Sequence, residues 1–307
     1  MGSAVGGFMA GAGHAVTLVG RAAHMEAIAD RGLRVTGIFG DHCFTGIDAR
    51  TTADGLRLGD YDAVFITVKS YDTAAALEAV APVVDDSTLV CAYQNGLGNI
   101  EQIAARFGWA RTVGVRAIYG VRVAEPGAIA VTVIASPTAL GAPRPEGPVA
   151  RVRELAAAMD AAGLPTVYSD RVEALLWAKV AYNCALNPLS ALLDAPYGKL
   201  PEIAEARRMM DAVIDELYAV GRVRGVLLDP PDPDAYRELF YTRLVPPTAA
   251  HYASMHEDFA RHRRTEIDAM NGAIVRMGAA CGVACPVNAW LTDLIHAREA
   301  AMEKPAR

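Results

Sequence analysis

The chain has 307 residues, 52% of them hydrophobic and 21% charged, with a formal net charge of −6. That length is the usual size of two domains, each with enough apolar material for its own core. A net negative charge argues against a nucleic-acid or anionic-membrane footprint, which needs clustered Lys and Arg; the short basic run Arg261-His-Arg-Arg264 reads as a solvated helix face.

No apolar stretch approaches a membrane span, and the N-terminus has no basic region followed by a signal-like apolar core. Position 6 is Gly, so Met1-Gly2 fails the myristoylation pattern. The five cysteines (43, 91, 184, 281, 285) are odd in number and lack Cys-x-x-Cys spacing, which reads as reduced thiols in a cytoplasmic protein, with no metal site.

In chain order, Gly2 to His14 reads as a helix ending at Gly11-Ala-Gly13, where the glycines act as a C-cap. Strands follow at Ala15–Val19, Ala63–Val68 and Thr88–Ala92, then at Val113–Tyr119 and Ile129–Ile134 around a Glu125-Pro-Gly127 hairpin turn, and a last one near Thr166–Tyr168. Between them lie Ala-rich helical stretches, the signature of a parallel sheet with crossover helices. From about Val172 the strand signals stop. Helices are expected over about 172–193, 201–225, 233–243, 251–281 and 287–303, separated by Pro230-Pro-Asp-Pro233 and Pro246-Pro247. The fold class is therefore an α/β Rossmann-type dinucleotide-binding domain, residues 1–168, followed by an all-helical domain, residues 169–307. A cleft between such halves is a common ligand site.

A dinucleotide fingerprint is a strand, then Gly-x-Gly-x-x-Gly opening a helix. Only its final glycine, Gly2, is present, so the chain reads as N-terminally truncated, with its natural start one strand and one turn earlier. Taken literally, the strands at 15–19 and 63–68 would face a gap with unpaired backbone groups. After the strand at 15–19 comes Gly20-Arg21, an arginine where NAD-binding chains carry a carboxylate, which points to the 2′-phosphate of NADP. Lys69 and the loop Gln94-Asn-Gly-Leu-Gly-Asn99 follow two strands at their carboxyl ends, where open α/β sheets bind ligands.

Lys179, Asn183 and Asn187 stand four apart in an apolar run, so one helical face carries a cation and two amides. Burying these without partners costs roughly 1–3 kcal/mol each, more for the charge. A small ligand with a carbonyl or carboxylate would supply the partners. Ser254-Met-His-Glu257 fits a capping box, and Glu266 after Thr265 fits a helix-start carboxylate. On one unbroken helix Ser254 and Glu266 would be roughly 18 Å apart at about 1.5 Å per residue. Sharing one substrate therefore requires a break near Arg263–Thr265.

Lys69 in Val-Lys-Ser-Tyr, the Gln-Asn-Gly-Leu-Gly loop, Lys179/Asn183/Asn187, and Arg264-Thr-Glu-Ile-Asp268 with Asn271-Gly272 together resemble the ketopantoate reductase (2-dehydropantoate 2-reductase) family over essentially the whole chain. The resemblance implies NADPH-dependent reduction of the 2-keto acid ketopantoate to (R)-pantoate in pantothenate biosynthesis. It implies Lys179 as proton donor and Glu266 in the catalytic cleft. Gly2, Arg21, Lys69 and Asn95 would serve NADPH, and Asn95, Asn183, Asn187 and Ser254 would hold the small 2-keto acid. The chain departs from the family pattern at its start and at Tyr197, in Tyr197-Gly-Lys-Leu200, where some members carry a substrate-binding asparagine. The alternatives are a D-2-hydroxy acid dehydrogenase for another 2-keto acid, and a non-catalytic nucleotide-binding protein. Neither nucleic acid nor membrane is an expected partner; a homodimer is compatible with the sequence.

Overall fold

The computed structural model describes residues 1–302, which divide into two compact units. The first, an α/β unit, comprises Met1–Val68, Asp72–Gln94 and Ile100–Val172. Its elements are α1 (Gly2–Gly11), β1 (Thr17–Val19), α2 (Ala22–Arg31), β2 (Leu33–Gly37), β3 (His42–Phe44), β4 (Asp48–Arg50), β5 (Ala63–Ile66), α3 (Thr73–Val80), β6 (Leu89–Ala92), α4 (Asn99–Phe107), β7 (Thr112–Glu125), β8 (Ala128–Gly141), α5 (Val149–Ala161) and β9 (Thr166–Tyr168).

Seven strands form one sheet in the order β3-β2-β8-β7-β6-β5, with β9 on β8. All four residues of β6 are buried, as an inner strand covered on both faces requires. The sheet is mixed: β5, β6 and β7 run parallel, β7 and β8 form the antiparallel pair expected from the hairpin turn, and β3, antiparallel to β2, departs from the parallel expectation. The two middle strands are 14 residues each, about twice the expected length, and Pro126-Gly127 makes their turn with Gly127 at φ +78. The strands β2, β3 and β4 are too short to show a period. β2 exists because it pairs with β8, almost a hundred residues later, burying Leu33 and Val35.

The helix α1 packs Ala4, Val5, Phe8 and Met9 into the core formed with Leu33, Val35, Ile129, Val131, Leu140 and Met159. It ends at Ala12 with Gly13 at φ +92, as the glycine pattern suggests. The strand β1 pairs in parallel with β4, and among the described residues no ladder joins it to β5. A hydrogen bond of 3.0 Å between Thr17 Oγ1 and the Tyr61 hydroxyl links β1 to the segment entering β5.

The second, helical unit comprises Lys69–Tyr71, Asn95–Asn99 and the chain from Glu173 onward. It contains α6 (Val172–Leu193), α7 (Ala204–Val223), α8 (Pro233–Leu239), α9 (Ser254–Ala260), α10 (Asn271–Cys281) and α11 (Pro286–Met302). Position 303 of the last expected helix lies outside the described residues. The helix expected over 251–281 is in fact two, α9 and α10, separated by an irregular stretch and a 3-10 turn at Ile267–Ala269.

Pro188 lies inside α6 and has no N–H to give the carbonyl of Cys184, four residues back. Asn271, fully buried at the start of α10, supplies it: its Nδ2 donates to Cys184 O at 3.1 Å and to Asn288 Oδ1 at 3.0 Å. Asn288 Nδ2 in turn donates to Glu216 Oε2 at 2.7 Å. The Glu216 carboxylate also accepts the N–H groups of Val287 and Asn288, capping α11 where the helix dipole favours negative charge. One chain of hydrogen bonds thus ties α6, α10, α11 and α7 together. Asn271→Ala leaves the Cys184 carbonyl and Asn288 Oδ1 short of a donor. It should cost about 2–3 kcal/mol, read as a fall of roughly 5–10 °C in Tm by calorimetry.

Candidate active site

Lys69 follows β5 and Val68, where the chain turns through a 3-10 segment, Ser70–Asp72. Its ammonium donates to Asp258 Oδ2 at 2.9 Å and to Glu266 Oε2 at 3.1 Å. The Ser70 N–H donates to Glu266 Oε1 at 3.0 Å, so both oxygens of that carboxylate are held. Asp258 is 1% exposed and Glu266 4%. Two buried carboxylates would be prohibitive without cations; Lys69 supplies one, and Arg263, 2.8 Å from Asp258 Oδ1, supplies the other. Burial by itself would lower the pKa of Lys69, but Glu266 and Asp258 outweigh it, and the net direction is upward. The ammonium therefore stays charged.

Eight residues of helix would separate Asp258 and Glu266 by about 12 Å, too far for one ammonium. The chain instead leaves α9 at Arg261, passes through His262 at φ +48, and doubles back with Arg263 N–H bonded to Asp258 O at 2.8 Å. The break needed near 263–265 is there. Glu266 is not a helix-start carboxylate, since it makes no side-chain cap bond to the 3-10 turn it precedes. Thr265 Oγ1 instead accepts the Ile267 N–H at 3.3 Å.

Lys179 projects from α6, and its Nζ donates to Asn95 Oδ1 at 2.8 Å. Asn95 opens the loop 95–99 that follows β6 and Gln94. Gly96 sits at φ +88, and a Cβ there would lie 2.2 Å from the Ala269 carbonyl oxygen. Only glycine permits that approach, which lets the Leu97 N–H reach Ala269 O at 2.7 Å. Asn99 Nδ2 closes the loop on Asn95 O at 3.0 Å. One loop therefore touches Lys179 on one side and, on the other, the segment three residues beyond Glu266. Within the α/β unit, Gln94 Nε2 donates to Thr73 Oγ1 at 2.8 Å, tying the base of this loop to that of the Lys69 turn.

Asn183, one turn along α6 from Lys179, is half-buried, and its carboxamide has no hydrogen-bond partner among the described residues. Asn187, a further turn along, is buried and takes the Tyr197 hydroxyl on its Oδ1 at 2.5 Å. Ser254 is exposed at the start of α9; Ala253 is the N-cap and no side chain caps, so the capping box does not form. Gly2 and Arg21 belong to the α/β unit. Gly2 opens α1, and a Cβ there would come within 2.7 Å of Thr67 Oγ1. Arg21 follows β1, is exposed, and its guanidinium makes no ion pair or hydrogen bond among the described residues.

Asp258, Arg263, Ser70 and Glu299 escaped the sequence reading, because nothing local marks them. Asp258 and Arg263 sit in a strongly charged run that looks like a solvated face. Glu299 Oε1, on α11, accepts the Thr265 N–H at 2.7 Å and so holds the backbone beside Glu266. The ring nitrogens of His296 lie 3.1 Å from Glu299 Oε2 and 3.0 Å from Asp268 Oδ1, and Arg264 also bonds Asp268 at 2.8 Å. Burial lowers the His296 pKa, but Glu299 and Asp268 more than compensate, and it is raised overall. Burial likewise opposes the Asp268 charge, yet Arg264 and His296 bring its pKa below the usual value. The His296 contribution is therefore full below its unfolded pKa of about 6.5 and is lost as pH rises through the higher folded value. The Asp268 contribution is lost only in acid. His296→Gln should lower Tm at about pH 6 and have a much smaller effect at about pH 9; an equal loss at both, in paired melts, would disprove the charged contact.

A Rossmann-type α/β unit bearing a free arginine after β1, followed by a helical unit with a lysine, amides and a clamped glutamate, defines a two-domain nicotinamide-dependent oxidoreductase. The sequence pattern of "Ketopantoate reductase PanE/ApbA" matches residues 1–145, and that of "Ketopantoate reductase PanE/ApbA C terminal" matches 171–299. A 2-dehydropantoate 2-reductase of Aquifex aeolicus is 40% identical over 238 residues, 78% of this chain and 76% of that protein. The crystal structure of a PanE/ApbA family ketopantoate reductase from Ralstonia eutropha JMP134 superposes with a TM-score of 0.84 at 33% identity, covering 98% and 95% of the two chains. A ternary structure of D-mandelate dehydrogenase with NADH and anilino(oxo)acetate gives 0.86 at 25% identity, covering 98% and 96%. The chain belongs to the ketopantoate reductase family.

Proposed function

We propose that this protein reduces 2-dehydropantoate (ketopantoate) to (R)-pantoate with NADPH, the reductive step of pantothenate biosynthesis. The relatives it matches carry that activity in their names. The observation that carries the residue assignment is the 95–99 loop, which holds Lys179 at one end and the Ala269 carbonyl, just past Glu266, at the other.

Reduction of a ketone leaves negative charge on its oxygen, and an ammonium placed there stabilises it and gives the proton. Lys179 takes that role, its direction set by Asn95 Oδ1. Asn183, with an unpartnered carboxamide on the same face one turn away, is suited to the substrate's carboxylate or hydroxyl. Glu266, its oxygens fixed by Lys69 and Ser70, is suited to accept a hydrogen bond from the substrate hydroxyl. Lys69, which the family resemblance assigns to the cofactor, is also the counter-ion of Glu266 and Asp258. Ser254 lies at the start of α9, one turn before Asp258.

The residues fit NADPH: the Arg21 guanidinium has no competing carboxylate partner and stands after β1, where a 2′-phosphate binds, and α1 begins at Gly2. When bound, NADPH supplies the hydride for the ketone carbon. We assign nucleotide binding to residues 1–168 and catalysis to 169–307, with Asn95 serving both ligands. Among the described residues no helix is long and apolar enough to cross a membrane, and the five cysteines are free thiols, which supports a cytoplasmic enzyme. Trp290 and Leu294, exposed one turn apart on α11, are compatible with a homodimer.

The test is to follow NADPH oxidation with ketopantoate. Lys179→Ala should lower kcat by about 10²-fold or more while NADPH binding is kept; near-normal turnover would overturn the assignment. Arg21→Ala should raise KM for NADPH by about tenfold with little change for NADH, since each lost charge-assisted contact is worth about 1.5–3 kcal/mol. Equal changes for both cofactors would remove Arg21 from the phosphate site.

A further inference from the structure

Arg116 lies half-buried on β7. The register pairs Ala92, the last residue of β6, with Gly114, so Arg116 stands two residues past the end of that strand. This is the carboxyl edge of the sheet, where open α/β folds take their ligands. The backbone of Arg116 is opposite Ala139 on β8, yet its Nη1 donates to the hydroxyl of Ser136, which is opposite Ile118, and to Pro137 O at 3.3 Å. The side chain therefore runs along β7 towards and past that edge. The ladder slips between Arg116 and Ile118 and again between Ile118 and Tyr119. Such bulges bend a strand and re-aim its side chains.

Both of these bonds use Nη1. Nε and Nη2, the edge that meets a carboxylate side-on with two parallel bonds, have no partner among the described residues. The other strand arginines of this unit differ: Arg34 and Arg50 face Glu125 and Asp48, and Arg122 is exposed to water. Burial acts alone on the Arg116 pKa, downward, with no carboxylate to offset it. An arginine does not shed its proton at physiological pH. A half-buried guanidinium without an acid is thus a charge that an anionic ligand would neutralise.

The anionic groups of the cofactor have their places elsewhere in the unit. Arg21 follows β1, and α1 begins at Gly2, which faces Thr67 just past β5, so the phosphates belong at that side of the sheet. Arg116 is on β7, with β6 between it and β5, in the half that receives the second mononucleotide. The anion left for it is the carboxylate of the acid that meets the nicotinamide. We infer that Arg116 is a further substrate-binding residue: its Nε–Nη2 edge takes the carboxylate of the 2-keto acid, and Ser136 holds the guanidinium in place for it. This rests on the reading of the protein as a keto-acid reductase.

The test measures kcat, and KM for ketopantoate and NADPH separately, in purified wild type, Arg116→Gln, Arg116→Lys and Ser136→Ala. Arg116→Gln should raise KM for ketopantoate about tenfold or more, the scale of a lost charge-assisted double contact, and leave KM for NADPH within about twofold. Arg116→Lys keeps the charge but not the two-nitrogen edge, so its KM for the acid should fall between those of wild type and Arg116→Gln. Ser136→Ala removes the tether and keeps the guanidinium, and its penalty should be smaller than that of Arg116→Gln. An unchanged KM for ketopantoate in Arg116→Gln would overturn the inference. So would an equal rise for NADPH, which would place a cofactor group at Arg116, and so would a Ser136→Ala variant as impaired as Arg116→Gln, which would make the link between strands the cause. Should Arg116→Gln fail to fold, Arg116→Lys decides: a raised KM for the acid alone supports the inference and an unchanged one defeats it. A wild type inactive with ketopantoate defeats the keto-acid reading and this inference with it; an active wild type with unmoved constants in Arg116→Gln defeats this inference only.

Discussion

A single ammonium, that of Lys69, satisfies two carboxylates that are almost completely shut off from water. Asp258 and Glu266 are 189 and 197 residues away in sequence, and neither could be buried as a charge without that cation and Arg263. The requirement dictates the path of the chain from α9 to α10. The helix must stop, turn through His262, and return so that both carboxylates reach one point. A continuous helix would have been the cheaper local choice for these residues, but it would have left one carboxylate buried and alone. The irregular stretch that carries Glu266 is thus a consequence of electrostatics.

The rest of the helical unit keeps that stretch in place. Glu299 holds the backbone at Thr265, and the Glu216–Asn288–Asn271 chain anchors the first turn of α10, just after the 3-10 turn. This chain ends on the carbonyl that Pro188 frees in α6, the same helix that carries Lys179. A defect in one helix, a proline without an N–H, is thereby used as the attachment point for another. Lys179 and Glu266 are related through this chain of hydrogen bonds, and the Asn95–Asn99 loop spans what remains through Gly96, whose missing side chain allows backbone to meet backbone.

Much of this was legible in the residues. The span of α6 matches its apolar pattern, because 22 residues of helical period leave little freedom even with Pro188 among them. The unusual polar stripe was visible for the same reason, and so was the need for a break before Glu266, from rise per residue alone. The strands β2, β3 and β4 were not, since three to five residues cannot display a period and they are held by partners far along the chain. The direction of β8 was legible from the hairpin turn at Glu125-Pro-Gly127, because a short connection joins antiparallel neighbours. Asp258 and Arg263 looked like surface charges because their partner lies in another part of the sequence.

The asparagines of α6 show where the boundary falls. Helical periodicity, a property of neighbouring residues, determined by itself that Lys179, Asn183 and Asn187 share a face, and composition determined that an α/β half precedes a helical one. Only the tertiary structure decided that Asn183 is left without a partner while Asn187 turns to Tyr197, and that Lys69 belongs to Glu266 and Asp258. A hydrogen bond or ion pair is settled by which groups meet when distant segments close on each other. That meeting depends on the whole chain's path, which no local pattern encodes.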